Sequence, residues 1–265
     1  MRIPLRCPVC QEPLKKEAHR FICPKGHSFD IARQGYVNLL LKQSDKHFGD
    51  APEMILARHA FLHQNYYQPL YQYLTNHFHS CKGSLLDIGC GEGYFTNALC
   101  QNQDLEVYGV DISKKALQIA ARELPAQFIV AASQNLPFFA NSFDEVISLF
   151  TPVDLNEIIR VLKPGGSLTL ISPGPKHLLE LRQCLYETIK EKQIKEINQE
   201  ILPVVKQDSL TYFFDVQSSE DLNNLCQMTP FYKRTSQRQR EKLKQTPLFT
   251  ITADFLIRQC RKINE

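Results

Sequence analysis

Apolar positions follow two periods along this chain, and the alternation between them lays out the fold. Short apolar runs at residues 85–88, 105–110, 127–131, 144–150 and 167–172 have the length and bounds of buried strands. Between them FTNALCQ, KKALQIAARE and residues 156–162 carry helical spacing, with Ser113 placed to cap the second and Pro164, Gly165 and Gly166 to stop the third. Strand and helix in turn predict a parallel sheet with helices on both faces. Two helices are expected ahead of it, over 51–63 and 67–79. Asp50 reads as the cap of the first, with Pro52 in its first turn and Glu53 able to reach back. Beyond the sheet, residues 176–190 read as a helix, and 212–216 and 248–257 as closing strands around a helix over 219–227.

The stretch SLLDIGCGEGY turns that pattern into chemistry. Asp87 precedes Gly89, Gly91 and Gly93, with Glu92 between the last two and Tyr94 opening the helix. Alternating glycines allow positive φ and leave no Cβ, so a ligand can lie on the turn itself. The next strand ends at Asp111, where a carboxylate can accept hydrogen bonds from both hydroxyls of a ribose. A dinucleotide fingerprint is spaced G-x-G-x-x-G. The D-x-G-x-G-x-G spacing here instead resembles the first motif of Rossmann-like, S-adenosylmethionine-dependent methyltransferases.

Composition narrows the classes. At 265 residues, with 43% hydrophobic and 22% charged, the chain supports one large core and a small appendage. No eighteen-residue apolar run and no apolar leader is present, so no membrane partner is expected and a cytoplasmic location is. Nine cysteines then read as thiols or metal ligands. Cys7 and Cys10 in CPVC, with Cys23 and His27 in CPKGH, have the spacing of a tetrahedral zinc site. Four protein ligands leave no place for an activated water, so the zinc is expected to be structural. A net charge of +3 is too small to imply nucleic acid by itself. A local run, KRTSQRQREKLK over residues 233–244, reads either as the solvated face of a helix or as a phosphate-contacting edge.

Together CPVC, CPKGH, FDIARQGYVNLL, GDAPEM, ARHAFL, HQNYYQPL, LDIGCGEGYFT, VDISK, LPF, LKPGGSLTLISPGPKHLLEL and MTPF resemble the bacterial 23S ribosomal RNA guanine-N1 methyltransferases, the RlmA/RrmA family. The resemblance covers almost the whole chain. Its most specific part is a zinc module joined by GYVNLL to a methyltransferase domain. It implies a class I methyltransferase sheet with a zinc-binding module at residues 1–35, a connector at 36–50 and the catalytic domain at 51–265. It implies methyl transfer from S-adenosylmethionine to N1 of a guanine in a 23S rRNA hairpin, most like the guanine-745 subfamily, and leaves a homodimer open.

On matching positions, Cys7, Cys10, Cys23 and His27 would hold zinc. Gly89, Gly91, Glu92 and Gly93 would line the cofactor, with Asp111 on its ribose. Tyr67 and His177 would stand at the cofactor side, and Asn135 and Leu136 beside the adenine. Thr151 stands where a small alanine is expected, which puts a catalytic role for its side chain in doubt. Asp154 is a candidate base for the N1 proton or the cap of the following helix. Phe138 and Phe139 read as half core or as a base-stacking pair. A small-molecule methyltransferase, or a non-catalytic zinc-dependent RNA-binding adaptor, shares parts of this pattern. The zinc module and the basic segment argue against the first, and the intact glycines and Asp111 against the second.

Overall fold

The central strand of the protein, β6 (Gly83–Ile88), is buried along its length after Gly83, as a strand covered on both faces must be. The computed structural model describes residues 3–41, 49–186, 200–229, 232, 235–237, 239, 241 and 250–263. On one side β6 pairs in parallel with β7 (Leu105–Asp111), which pairs with β8 (Gln127–Val130). On the other it pairs in parallel with β9 (Phe143–Leu149), followed by β10 (Leu162–Pro173). An antiparallel pair, β12 (Thr250–Arg261) and β11 (Val204–Asp215), closes the β10 side. Strand order therefore reverses at β6, and the carboxyl ends of β6, β7 and β9 surround the switch point where α/β sheets bind ligands.

Helices α3 (Tyr94–Cys100), α4 (Lys114–Glu123) and α5 (Leu155–Val161) connect these strands. Ser113 caps α4 as expected, its Oγ accepting from Ala116 N. Ahead of the sheet, α1 (Pro52–Leu62) and α2 (Gln68–Phe78) bury Phe61, Leu70, Leu74 and Phe78 in one core with α6 (Leu179–Leu185) and α7 (Ser219–Gln227). Tyr66 and Tyr67 are buried in that core, and Tyr71 and Tyr73 pack against it.

Three local expectations are corrected. Asp50 does not cap α1: the cap is Ala51, without a side-chain bond, and the Asp50 carboxylate pairs with Arg58 instead. Pro164, Gly165 and Gly166 follow a helix as expected, but they do not separate it from the next strand, which starts at Leu162 rather than at residue 167. Helix α5 ends at Val161, and the three lie inside β10 at the break of register between Leu162 and Ser167. Helix α6 starts at Leu179 rather than at residue 176, because the preceding turn is tied down by β12. Gly174 N bonds Asp254 O, Lys176 N bonds Asp254 Oδ2 and Leu178 N bonds Thr252 O, each at 2.8 Å.

The N-terminal residues build a separate antiparallel sheet, β1 (Leu5–Arg6), β2 (Pro13–Lys16), β3 (Arg20–Ile22) and β4 (Ser28–Asp30). Its apolar side has no core of its own. Leu5, Cys7, Leu14 and Cys23 are buried in one cluster with Leu86, Tyr108, Phe138 and Ile158 of the large domain. Leu5 forms an antiparallel bridge with Phe138, Arg6 N bonds Pro137 O at 2.9 Å, and Ile3 N bonds the Tyr108 hydroxyl at 2.7 Å. Within the connector, β5 (Val37–Asn38) joins the edge of the large sheet in parallel with β8. Phe138 is fully buried, edge-on to Tyr108 and Phe143, which makes it core; Phe139 is half-buried. The six basic residues of the run at 233–244 lie outside the described residues.

Candidate active site and metal centre

The Gly-rich turn is built at the end of β6. Gly89, Gly91 and Gly93 have φ of 76°, 56° and 91°, so each uses the left-handed region that glycine enters without strain. Their surroundings differ. A Cβ at Gly89 would collide with the Thr151 side chain, and one at Gly93 would stand 2.7 Å from Leu124 and 3.0 Å from Ala120. Gly91 faces open space, with only Arg58 Nη1 at 3.7 Å from such a Cβ. That is the cradle a ligand can approach. Asp111, at the end of β7, locks the turn: its Oδ2 accepts from Gly91 N at 2.9 Å and its Oδ1 from Ser113 N at 2.7 Å.

The remaining positions expected at the cofactor side are held in different ways. Tyr67 lies at the start of α2, its hydroxyl 3.4 Å from His177 Nε2, while His177 Nδ1 accepts from Asp254 N at 3.3 Å. Tyr94 stacks edge-on with His63, Tyr71 and Phe95, and its buried hydroxyl has no hydrogen-bond partner among the described residues. Asn135 and Leu136 lie in the loop after β8 and are tied to other elements. Asn135 Oδ1 accepts from Arg6 Nη2 at 3.2 Å. Leu136 is fully buried; its N–H donates to Glu157 Oε2 at 2.8 Å, and its carbonyl accepts from Arg6 Nη2 and Arg160 Nη2. Asp154 is engaged at the N-terminus of α5, its Oδ1 accepting from Asn156 N at 2.9 Å and Glu157 N at 3.4 Å.

In the small sheet Cys7, Cys10, Cys23 and His27 bring their ligand atoms within 4.8 Å of one another. Both knuckles close with a left-handed residue, Gln11 at φ 66° and Gly26 at φ 84°, whose N–H groups bond Cys7 O and Cys23 O at 2.9 Å. Zinc with thiolates at about 2.3 Å and an imidazole nitrogen near 2.0 Å places sulfurs about 3.8 Å apart and sulfur about 3.6 Å from nitrogen. Cys10 and Cys23 sulfurs are 3.5 Å apart, and His27 Nδ1 is 3.7 Å from Cys7 Sγ and 3.3 Å from Cys23 Sγ. The set fits a closed tetrahedron. Burial raises the Cys23 thiol, but N–H donors from His27 and Lys25 and the side chains of Cys10 and His27 outweigh it and bring it down to about 6, toward the thiolate a metal requires.

Comparison with known proteins agrees with both halves. Residues 5–46 match the family model described as RlmA, N-terminal, and residues 85–166 match a methyltransferase domain. A 23S rRNA (guanine(748)-N(1))-methyltransferase from Streptomyces fradiae is 36% identical over 189 residues, 68% of this chain and 67% of that one. A candidate 23S rRNA (guanine-N(1)-)-methyltransferase from Bacillus subtilis, YxjB, is 33% identical over 194 residues, 68% of each chain. The chain belongs to the 23S rRNA (guanine-N1)-methyltransferase family. In fold, a crystal structure of a candidate methyltransferase from Bacillus halodurans superposes with a TM-score of 0.50 at 15% identity, over 73% of this chain and 99% of that one.

The methyltransferase therefore uses S-adenosylmethionine and carries zinc in its ribbon. Its own electrostatics suit a cationic cofactor. Asp87 is 1% exposed, with Oδ2 accepting from Thr96 Oγ1 at 2.7 Å and Oδ1 without a partner among the described residues. Burial, assisted by the charge of Asp111 and opposed by the Thr96 hydroxyl, pushes its carboxyl up to about 7. Glu92 is 4% exposed; its Oε2 has no hydrogen bond among the described residues and only a long ion pair, 3.9 Å from Arg58 Nη1. Burial raises Glu92 and Asp111 as well. Unpartnered buried carboxylate oxygens are costly unless a cation or donor completes them. Arg58 itself, on α1, was not visible as a site residue. It is paired with Asp50, sits against Glu92 and feels the charge of Asp111. The only trace in the sequence is a lone arginine on a helix face. Across the described residues no helix is long and apolar enough to cross a membrane.

Proposed function

We propose that this methyltransferase modifies N1 of a guanine in a hairpin of 23S ribosomal RNA. The observation that carries the reading is the joining of its two halves. A complete Cys3His ribbon is docked on the loop that follows β8, beside an intact Gly-rich turn, and relatives that match over two thirds of their length bear this activity in their names.

Bound S-adenosylmethionine supplies a sulfonium methyl that needs no further activation, so the protein's work is alignment. In our reading Asp111 accepts the ribose hydroxyls while keeping Gly91 and Ser113 in place. Gly89, Gly91, Glu92, Gly93 and Tyr94 line the cradle, and Asp87 offers its unpartnered oxygen to the cofactor's ammonium. Tyr67 and His177 close the cofactor side, and Asn135 and Leu136 the adenine side. Cys7, Cys10, Cys23 and His27 hold the structural zinc. The N1 proton requires an acceptor. The capping bonds of Asp154 favour a structural part for it over that one. Residues 1–35 act as the zinc module, 36–50 as the connector and 51–265 as the catalytic unit. A guanine presenting its Watson–Crick edge must be unpaired or extruded, which suits a hairpin loop. The cytoplasm is the matching compartment, and a homodimer is one assembly that sedimentation would detect.

Primer extension tests the reading. N1 methylation removes a pairing donor, so reverse transcriptase should stop one nucleotide before the modified guanine in RNA from cells carrying the gene, and read through in RNA from cells lacking it. The position of that stop distinguishes the guanine-745 type, which the sequence resembles, from the guanine-748 type named for the Streptomyces relative. Equal stops in both strains, or a methyl found on an exocyclic amine or ribose, would reject N1.

A further inference from the structure

Two bulky residues stand in the left-handed region among the described residues, Phe150 at φ 59° and Leu178 at φ 52°, and both lie beside His177. Leu178 follows His177 in the chain and is held by its N–H bond to Thr252 O at 2.8 Å. Phe150 follows β9 and is held by its N–H bond to Ile171 O at 2.9 Å. Its ring lies within 18° of parallel to that of His177, at a centroid distance of 6.4 Å. Left-handed backbone is costly for a side chain of this size and persists where the surroundings over-determine it, often at functional sites.

The strain does not serve burial. Phe150 remains 40% exposed, whereas Leu149 before it and Phe255, which it touches at 5.5 Å, are both buried. Nor is the position remote. The next residue, Thr151, covers Gly89 of the cofactor turn, and β9 is the immediate neighbour of β6 at the switch point. An exposed aromatic ring is thus held at the mouth of the site by a backbone that costs stability. Of the pair that the sequence offered for stacking, Phe138 is edge-packed in the core and cannot serve, and Phe139 is half-buried.

We propose that Phe150 is the stacking surface for the extruded purine that receives the methyl group. The inference rests on the RNA-methyltransferase reading above and adds the residue that holds the base. An aromatic face suits any purine, so Phe150 would fix the plane of the ring, and groups on the base edge would choose the atom.

The test compares the full-length, zinc-loaded protein with Phe150→Leu, Phe150→Tyr and Phe150→Gly. The substrate is 23S rRNA from a strain lacking the gene. Turnover and KM are measured with radiolabelled S-adenosylmethionine, and affinity for S-adenosylhomocysteine by calorimetry. Phe150→Leu should lower kcat/KM for RNA by about ten- to a hundredfold, the range for losing one base–aromatic stack, with cofactor affinity unchanged. Phe150→Tyr should retain activity. Phe150→Gly should keep a thermal midpoint close to wild type, the released left-handed strain offsetting the lost ring contacts with Phe95, His177 and Phe255, while losing RNA activity as Leu does, a divergence that a packing role would not produce. Wild-type kinetics in Phe150→Leu, or RNA activity falling in step with cofactor affinity, would overturn the proposal. Wild-type protein that methylates no RNA would instead overturn the reading beneath it, and that control separates the two failures.

Discussion

The contact between the zinc ribbon and the loop after β8 predicts that metal and cofactor binding are coupled. Arg6 immediately precedes the ligand Cys7, and it reaches the loop through three bonds. Its N–H meets Pro137 O at 2.9 Å, and its Nη2 meets Asn135 Oδ1 and Leu136 O at 3.2 Å each. Arg160 and Glu157 of α5 hold the same loop from the other side, through Phe138 O, Leu136 O and Leu136 N. Arg6→Met keeps the aliphatic stem and the backbone bond but removes both guanidinium bonds. Those are long and partly solvated, so together they are worth about 1 to 2 kcal/mol rather than the full value of two charged hydrogen bonds. If the loop forms the adenine wall, that energy can appear as up to about a 5- to 30-fold loss of cofactor affinity.

Removing zinc should do more. Without the metal the two knuckles lose what closes them, and zinc in such sites contributes on the order of 10 kcal/mol to folding. Leu5 and Leu14 would then leave the core they share with Tyr108 and Phe138, a loss of about 1.5 to 3 kcal/mol for each buried side chain. The assay is calorimetric titration with S-adenosylhomocysteine of wild type, Arg6→Met, Cys23→Ser and chelator-treated protein, with zinc measured by elemental analysis. The expected order of affinity is wild type, then Arg6→Met with full zinc, then the two zinc-free forms. Identical affinity in all four would refute the coupling and make the ribbon an independent module. One zinc per chain in the wild type is required throughout.

Asp111→Ala removes a carboxylate that already accepts two backbone donors, so it should weaken cofactor binding by about 1.5 to 3 kcal/mol and also lower the unfolding midpoint; calorimetry showing unchanged affinity would refute the ribose assignment. Asp87, raised from 3.8 to about 7, binds its proton more tightly in the folded chain than in the unfolded one. It therefore favours folding at low pH, and this contribution, up to about 4 kcal/mol, is lost as pH rises from about 4 to about 7 and changes little above. Glu145, also pushed up to about 7 by burial and the charge of Asp144, adds a parallel slope, so the difference between wild type and Asp87→Asn in urea unfolding from pH 4 to 8 isolates Asp87; equal slopes would reject it. At the N-terminus of α5, Asp154→Asn should keep both the cap and RNA methylation, whereas Asp154→Ala should cost about 1 kcal/mol of stability. Loss of methylation in the well-folded Asn variant would return Asp154 to the part of base.

What could be read from the sequence is what depends on neighbours in the chain. The three glycines, Asp87 and Asp111 announce a cofactor turn because they fall close together at the ends of two successive strands, and the two knuckles announce zinc because their ligands are three and four residues apart. The strands of the parallel sheet are legible for the same reason. Asp50 was misread because a local rule, the cap ahead of Pro52, was outbid by an ion pair to Arg58, a turn and more away. Pro164, Gly165 and Gly166 mark the helix stop as read, but the start of the next strand at Leu162 was missed because a helix stop and a strand irregularity use the same residues. The docking of Arg6 on Asn135 joins positions 129 residues apart, and no pattern in either segment signals the other. The left-handed backbone of Phe150 is equally silent, since nothing in FTPV marks a phenylalanine for positive φ.

The charges gathered at the Gly-rich turn show why those long-range contacts matter. Asp87, Glu92 and Asp111 come from β6, the turn and β7, and all three carboxyls are raised by burial. Asp50 and Arg58 arrive from α1 and its approach, where Gly49 packs against Ile112 and Ser113. One guanidinium thus stands among three carboxylates, Asp50, Glu92 and Asp111, and two buried oxygens, on Asp87 and Glu92, remain without a hydrogen bond among the described residues. A site left this acidic in low dielectric is unstable until positive charge enters it. The substrate form of the cofactor brings a sulfonium and an ammonium, while the demethylated product has lost the sulfonium charge. On the cofactor placement proposed above, the same carboxylates would hold the methyl donor more strongly than its product. The cost of burying them in the free protein would then also favour exchange of product for substrate after each transfer, and equal affinity for S-adenosylmethionine and S-adenosylhomocysteine would refute that placement.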